Sequence, residues 1–320
     1  MKISAILLLT AATTLSTGAY AEPGKWSDEP VRIVVTFPPG GTSDLIARVL
    51  AQYLESEYGQ KAVVDNRPGA GGTVAADYVA GQAADGTTLI LGNNAPFTIA
   101  PSQFETLPYD PVDSFTHIAN LGAATPGLFV QPSLGITDLD GFIEMANGDG
   151  VTYGSSGVGS ITHILGEAVN NALNIETIHI PYQGSAPAIQ DFRAGVLDGF
   201  YDMMAQNAPM IEDGEVVPLA IAGPERSPRF PDIPTFRDLG YDVVIENWTG
   251  LSGPAGMAPE MVQTIHDTVE EIMAMPAVID QMDQWGIVHS EMSTEDFNDF
   301  VATTIDVWRP LILSANVNGG

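Results

Sequence analysis

The chain has no cysteine. Disulfides, thiol nucleophiles, thiolate metal sites and a lipid-bearing N-terminal cysteine are therefore excluded, and stability has to come from packing. Cations are scarce as well: 11 lysines and arginines stand against 40 acids, and the lysines are Lys2, Lys25 and Lys61 alone. Such a surface disfavours nucleic acid and anionic membranes as partners. The five histidines, at 117, 163, 179, 266 and 289, are dispersed and contain no His-Glu-x-x-His, so neither a metal nor a cofactor is expected. A Gly-x-Ser-x-Gly elbow, a G-x-G-x-x-G turn and a phosphate loop are all missing. Carboxylates are too abundant for any pair of them to be informative, and nothing in the sequence supports catalysis.

Hydrophobic residues make up 45% of the chain, as in an ordinary globular protein. The N-terminus reads as a processing segment: Lys2 gives a positive start, Ile6 to Leu9 an apolar stretch, and Ala19-Tyr20-Ala21 a small-x-small cleavage site. Residues 1–21 are expected to be a signal peptide cleaved after Ala21, which places the protein in the periplasm. The apolar run is too short to be a membrane span. Removing it takes away one lysine and no acid, so the formal charge goes from −29 to −30. The acidity is read as a surface adapted to saline surroundings, with an acidic docking face as the alternative. The 299 residues left (320 minus 21) are too many for one ordinary core, and two domains are expected.

One design occurs twice. Val31-Arg-Ile-Val-Val-Thr36 runs into Phe37-Pro-Pro-Gly-Gly-Thr-Ser-Asp44, and Val151-Thr-Tyr153 runs into Gly154-Ser-Ser-Gly-Val-Gly-Ser160. In each, a short apolar strand meets a turn rich in glycine and hydroxyls, and then a helical pattern. Such a turn aims free N–H groups and hydroxyls at one point, in front of a helix end carrying about half a positive charge. Two of them face to face would grip a small anion. The plainer reading of Gly41, Thr42 and Ser43 is an ordinary helix start, with a hydroxyl capping orphan amides. Asp44 fits that reading best, because an acid there favours the dipole and repels a carboxylate. The second turn offers three glycines and the hydroxyls of Ser155, Ser156, Ser160 and Thr162, more than a plain connection requires.

Strand and helix patterns alternate, which predicts α/β lobes with largely parallel sheets. Leu45 to Leu54 have helical spacing, ended by Gly59; a strand is expected over 61–65, a helix over 74–83, and strands over 87–91, 117–121 and 128–131. In the second unit, a helix carrying Ile161 to Ala172 precedes a strand over 177–180, a helix over 187–194, and strands over 197–202 and 217–222. From Met257 the chain reads as helical, with breaks near Pro276 and Gly286. The order implies that the chain leaves lobe one, builds lobe two and returns. Lobe one is expected to be 22–123 plus 249–320, and lobe two 124–248.

Other residues carry open alternatives. Tyr182-Gln-Gly-Ser-Ala-Pro187 is a third helix start that would present Gly184 and Ser185 to the cleft. Asp202, at an expected strand end, would receive a ligand amine, hydroxyl or water, or else cap the next helix. His163 is read as a packing or cap-supporting residue rather than a base. Trp248, at the second crossing, is expected to pack the hinge rather than line the cleft. Arg67, the one cation beside a Gly-rich loop, is expected to pair within the acid-rich protein.

Several stretches together resemble one family: Pro30 to Asp44, Asp65-Asn-Arg-Pro-Gly-Ala-Gly-Gly72, Asp85-Gly-Thr-Thr-Leu89, Leu107-Pro-Tyr-Asp-Pro111, Tyr153-Gly-Ser-Ser-Gly157, Pro181 to Pro187 and Gly253-Pro-Ala-Gly256. The likeness is to the solute receptors of tripartite tricarboxylate transporters, the Bug receptors, and it covers almost the whole mature chain in order. It implies a two-lobe periplasmic-binding-protein clamshell of the type II kind, hinged at crossing strands. It also implies a carboxylate held by Phe37 and Gly41 to Asp44 in lobe one, and by Ser155, Ser156, Ser160 and Thr162 in lobe two. Asp202 corresponds to the acid facing the ligand's distal end. Where the family often places lysine or glutamine after the tyrosine of Pro-Tyr-x-Gly, Gln183 supplies no charge.

The sequence therefore predicts a non-catalytic receptor that is monomeric, closes on a small organic carboxylate and delivers it to membrane permease subunits. The alternative is a periplasmic component that presents the same ligand to a signalling partner.

Overall fold

A computed structural model describes residues 24–182 and 184–314. The expected signal peptide, its cleavage after Ala21 and the uncharged Gln183 lie outside the described residues. The first part of the chain runs β1 (Val31–Val35), α1 (Thr42–Tyr58), β2 (Ala62–Asn66), α2 (Thr73–Ala80), β3 (Thr88–Asn93), α3 (Ala100–Gln103) and β4 (Phe115–Ala124). The middle comprises β5 (Pro126–Val130), α4 (Leu139–Asn147), β6 (Thr152–Ser155), α5 (Ile161–Leu173), β7 (Ile178–Pro181), α6 (Ser185–Arg193), β8 (Gly199–Met203), α7 (Ala208–Glu212) and β9 (Val217–Ile221). The last part is β10 (Asn247–Pro254), α8 (Pro259–Met273), α9 (Pro276–Gln284), β11 (Ile287–Val288) and α10 (Thr294–Ser314).

These strands make two sheets, ordered β11-β4-β10-β3-β1-β2 and β7-β6-β8-β5-β9. In β1, Ile33 and Val35 pack against Ile46, Leu50 and Leu54 of α1, whereas Val34 packs against Ala75, Ala76 and Val79 of α2. A strand covered on both faces reads as a continuous apolar run, which is why Ile33 to Val35 shows no alternation, while Arg32 at the strand's start is exposed and pairs with Asp65. Gly59 ends α1 in the left-handed region at φ 64°, donating its N–H to the Glu55 carbonyl.

The sheets are mixed rather than largely parallel. β1 runs parallel to β2 and β3, and β6 to β7 and β8, but β10 is antiparallel to β3 and β4, and β5 to β8 and β9. The reason is the double crossing: a chain returning from the other lobe enters the sheet from the opposite end. β4 gives way to β5 across Thr125, and β10 enters between β3 and β4.

Neither α4 nor β10 is anticipated by the sequence pattern. β10 contains Gly250 and Gly253, poor strand formers, yet a Cβ on either would overlap the Phe297 ring or the Met257 sulfur. Close approach of Phe297 from α10 and of Met257 from the segment before α8, rather than strand propensity, selects glycine there. α2 stops at Ala80, α6 begins at Ser185 rather than Pro187, and the Gly286 break leads into the short strand β11. α10 starts against the first sheet through Phe297 and Val301, and ends among the second lobe's core residues through Trp308 and Ile312.

Candidate functional site

The first turn is held from behind. Asp44, 2% exposed, accepts from the Gly40 N–H at 2.9 Å, from Asn66 Nδ2 at 3.0 Å and from Arg48 Nε at 2.9 Å. Burial pushes its carboxyl upward, but the bonds from Arg48, Gly40 and Asn66 outweigh that and hold it below the usual carboxylate range. Asn66 also donates to the Phe37 carbonyl at 3.0 Å. The N-cap of α1 is Gly41, and no side chain caps the helix. The capping alternative for Thr42 and Ser43 is thereby answered, because the first-turn amides stay available to a ligand.

The second turn is a hydroxyl network. Ser160 is the N-cap of α5 and accepts from the His163 N–H, while its own hydroxyl donates to the Gly157 carbonyl at 2.7 Å. Thr162 Oγ1 accepts from the Ser156 N–H at 2.9 Å and lies 2.9 Å from Ser156 Oγ and 3.0 Å from Ser160 Oγ. Gly157 and Gly159 sit at φ 132° and 78°, where a side chain would strain the backbone. The third helix start is tied to the second turn by the Gly184 N–H, which donates to the Ser156 carbonyl at 3.1 Å. Ser185 then donates its hydroxyl to Asp202 Oδ1 at 2.8 Å, and Asn207 Nδ2 donates to Oδ2 at 3.1 Å. Burial raises the Asp202 carboxyl against both bonds.

Two cavities, of about 420 and 830 Å³, meet at a neck lined by Gly41, Thr42, Ser156, Ile161 and Asn247. The smaller continues past Thr162, Ser185 and Asp202, and the larger past Phe37, Ser43 and Ser160. Nine of the residues singled out from sequence thus line one cleft, and Asp44, Ser155 and Gly184 line neither cavity. Asp44 braces the first turn, Ser155 is fully buried with its hydroxyl 2.7 Å from His179 Nε2, and Gly184 supplies the φ of 109° that starts α6.

Among the described residues, Asp202 is the one ionisable side chain on the walls, and no lysine, arginine or histidine lines either cavity. All eight arginines are ion-paired with carboxylates elsewhere, and Lys25 with Asp28. Arg67 lies 2.9 Å from Asp65 and over the Tyr78 ring, paired internally as the sequence suggests. Trp248 packs against Phe97, Phe297 and Phe300 and lines neither cavity. Among the described residues, no cluster of His, Asp and Glu could hold a metal ion, and no helix is long and apolar enough to cross a membrane.

Sequence reading missed Asn247 at the neck, Asn93 and Asn94 on the larger cavity, and Gln206, Gln284 and Trp285 on the smaller. Asn93 and Asn94 follow an expected strand whose end could have flagged them. Gln284 and Trp285 come from the end of α9, remote in sequence from every turn of the cleft, and no local signal marks them.

The sequence profile of the tripartite tricarboxylate transporter family receptor matches residues 46–317. The protein BugT of Bordetella pertussis is 30% identical over 316 residues, covering 98% of this chain and 96% of BugT. Among solved structures, the R. palustris protein Rpa4515 with adipate superposes at a TM-score of 0.79 with 30% identity, covering 92% of this chain and 99% of that one. MatC from Rhodopseudomonas palustris, with bound malate, gives 0.74 and 28%, covering 88% and 98%. Two mixed α/β lobes, two glycine- and hydroxyl-rich turns meeting at a neck, and a family profile spanning most of the length agree: this chain belongs to the tripartite tricarboxylate transporter receptor family, the Bug receptors.

Proposed function

We propose that the protein is a periplasmic receptor that closes around a small organic carboxylate and delivers it, without turnover, to the membrane permease of a tripartite transporter. The observation that carries this reading is the neck, where the uncapped N-terminus of α1 at Gly41 and Thr42 meets the Ser156–Thr162 hydroxyl pair of the other lobe. Backbone amides, hydroxyls and helix dipoles can neutralise an anion without a cation, and the walls provide none. Two to four charge-assisted hydrogen bonds at about 1.5–3 kcal/mol each, less ordering costs, suit micromolar affinity. Adipate and malate in the related structures support a carboxylate as the ligand class.

The proposed lobes, 22–123 plus 249–320 and 124–248, are supported by the two sheets, with closure about the crossings at Thr125 and Asn247. A single chain supplies both turns, so a monomer is a complete receptor. A thermal-shift screen of the mature protein against mono-, di- and tricarboxylates, at low and high salt, tests the reading. A dose-dependent rise of the midpoint with one carboxylate class is expected, because a ligand that binds the folded state raises stability by mass action. A folded protein with no shift across the panel would overturn it.

A further inference from the structure

Two histidines behind the second turn are absent from the cleft walls but hold the turn at both ends. His163, in the first turn of α5, is 5% exposed, and its Nδ1 accepts the Gly159 N–H at 3.2 Å. An imidazole nitrogen that accepts carries no proton, so this bond requires neutral His163. His179, on β7, places Nε2 2.7 Å from Ser155 Oγ, and that hydroxyl also accepts the Gly157 N–H at 3.1 Å. The two rings are stacked, centroids 4.0 Å apart and 10° from parallel. Tyr153 stacks on His179 at 4.9 Å, and of the pair His163 is buried and His179 half-buried.

Gly157 and Gly159 have no side chains of their own to fix the backbone of this turn. Ser155 stands at its entry, immediately before Ser156 at the neck, and Gly159 at its exit, on the wall of the larger cavity. We propose that His163 and His179 are positioning residues for the anion-binding turn: the neutral stacked imidazoles pin its two ends through Gly159 and Ser155, and a proton added to the pair frees the turn and lowers ligand affinity. This rests on the receptor reading of the cleft.

The groups acting on the pair come from four elements. Glu167 of α5 has Oε1 4.0 Å from His163 Nε2 and accepts the Tyr153 hydroxyl of β6 at 2.9 Å; Tyr201 of β8 packs edge-on against Tyr153. α10, packed on α5, adds the apolar Trp308 and Ile312 to the same core. Burial lowers both imidazoles, with Glu167 opposing it at His163; at His179 the neighbouring ring adds to it and the value falls to about 4. The closed turn is therefore favoured above the ordinary histidine value of 6.5 and is lost as pH falls toward 4.

The test combines two variants with a ligand-independent signal. H163N puts a carbonyl oxygen near the place of Nδ1, whereas H163L fills the space without an acceptor. Malate and adipate titrated calorimetrically at pH 7.5 should bind H163N within about threefold of wild type and H163L at least about tenfold more weakly. Tolerance of leucine with loss in asparagine would show that the ring only fills space and would overturn the proposal. In the ligand-free wild type, NMR should find both imidazoles neutral at pH 6, with the Gly159 amide shifting in step with their titration at lower pH. Imidazoles titrating near 6.5, or a Gly159 amide indifferent to them, would overturn it equally. Because the NMR arm uses no ligand, a wild type that binds neither acid would refute the receptor reading while the pair is still judged on its own.

Discussion

Gly286, between α9 and β11, lies against Ala205 of the β8–α7 loop so closely that a Cβ on Gly286 would overlap the Ala205 side chain. The contact brings the last part of the chain against the second lobe beside the smaller cavity, whose walls include Ala205, Gln206 and Trp285. Gly286 also sits at φ 64°. A Gly286→Ala substitution should act as a wedge between the lobes. We expect affinity for the bound carboxylate to fall by about tenfold or more, the equivalent of 1.4 kcal/mol, and ligand to compact the variant less than wild type. Calorimetry with small-angle scattering checks both; unchanged affinity and full compaction would mean the contact is irrelevant to closure.

Ser156 lines both cavities and its hydroxyl is 2.9 Å from Thr162 Oγ1. Ser156→Ala removes one donor to an anion at the neck, so affinity should drop by about 1.5–3 kcal/mol, roughly tenfold to hundredfold. Thermal unfolding of the ligand-free protein should hardly change. A variant that binds as wild type does removes Ser156 from the site.

Asp202 gives a pH-dependent prediction with a definite sign. Burial raises its carboxyl above the ordinary value of 3.8, so the folded protein keeps the proton to higher pH than the unfolded chain. Stability tied to that proton is fully present below 3.8 and is lost as pH rises through the raised value. Asp202→Asn cannot ionise, and its unfolding midpoint relative to wild type should climb as pH rises from 4 to 8. A difference that stays flat over this range would contradict the upward shift of the carboxyl.

Salt should stabilise the fold. With 40 acids against 11 bases, the carboxylates far outnumber the cations that could pair with them, and their like charges repel. Raising ionic strength from 0.1 to 1 M shortens the Debye length from about 10 Å to about 3 Å and screens that repulsion. The exposed ion pairs lost to the same screening are worth little. A midpoint rising by several degrees in sodium chloride is expected, and one that falls would point to ion pairing as the larger effect.

The two turns were legible because their chemistry is local: strand, glycine, hydroxyl and helix follow within a dozen residues. Asp44 shows the limit of that reading. Its sequence position is the same whether it faces a ligand or braces the turn, and only Asn66 and Arg48, brought together with it by β2 and α1, decide for the brace. Trp285 shows the limit more sharply, since it reaches the smaller cavity only because β11 pairs with β4.

By itself the amino-acid order determined the alternation of strand and helix, the two helix starts rich in glycine and hydroxyls and the absence of thiol chemistry. These depend on backbone preferences and composition, which act over a few residues. The tertiary structure alone decided that β10 threads between β3 and β4, that α10 spans both lobes, that His163 and His179 stack behind the second turn, and that Asp202 is, among the described residues, the one ionisable group on the walls. Each of these joins segments far apart in the chain. Which distant partners meet is set by the packing of whole faces against each other, a property that no short window of sequence contains.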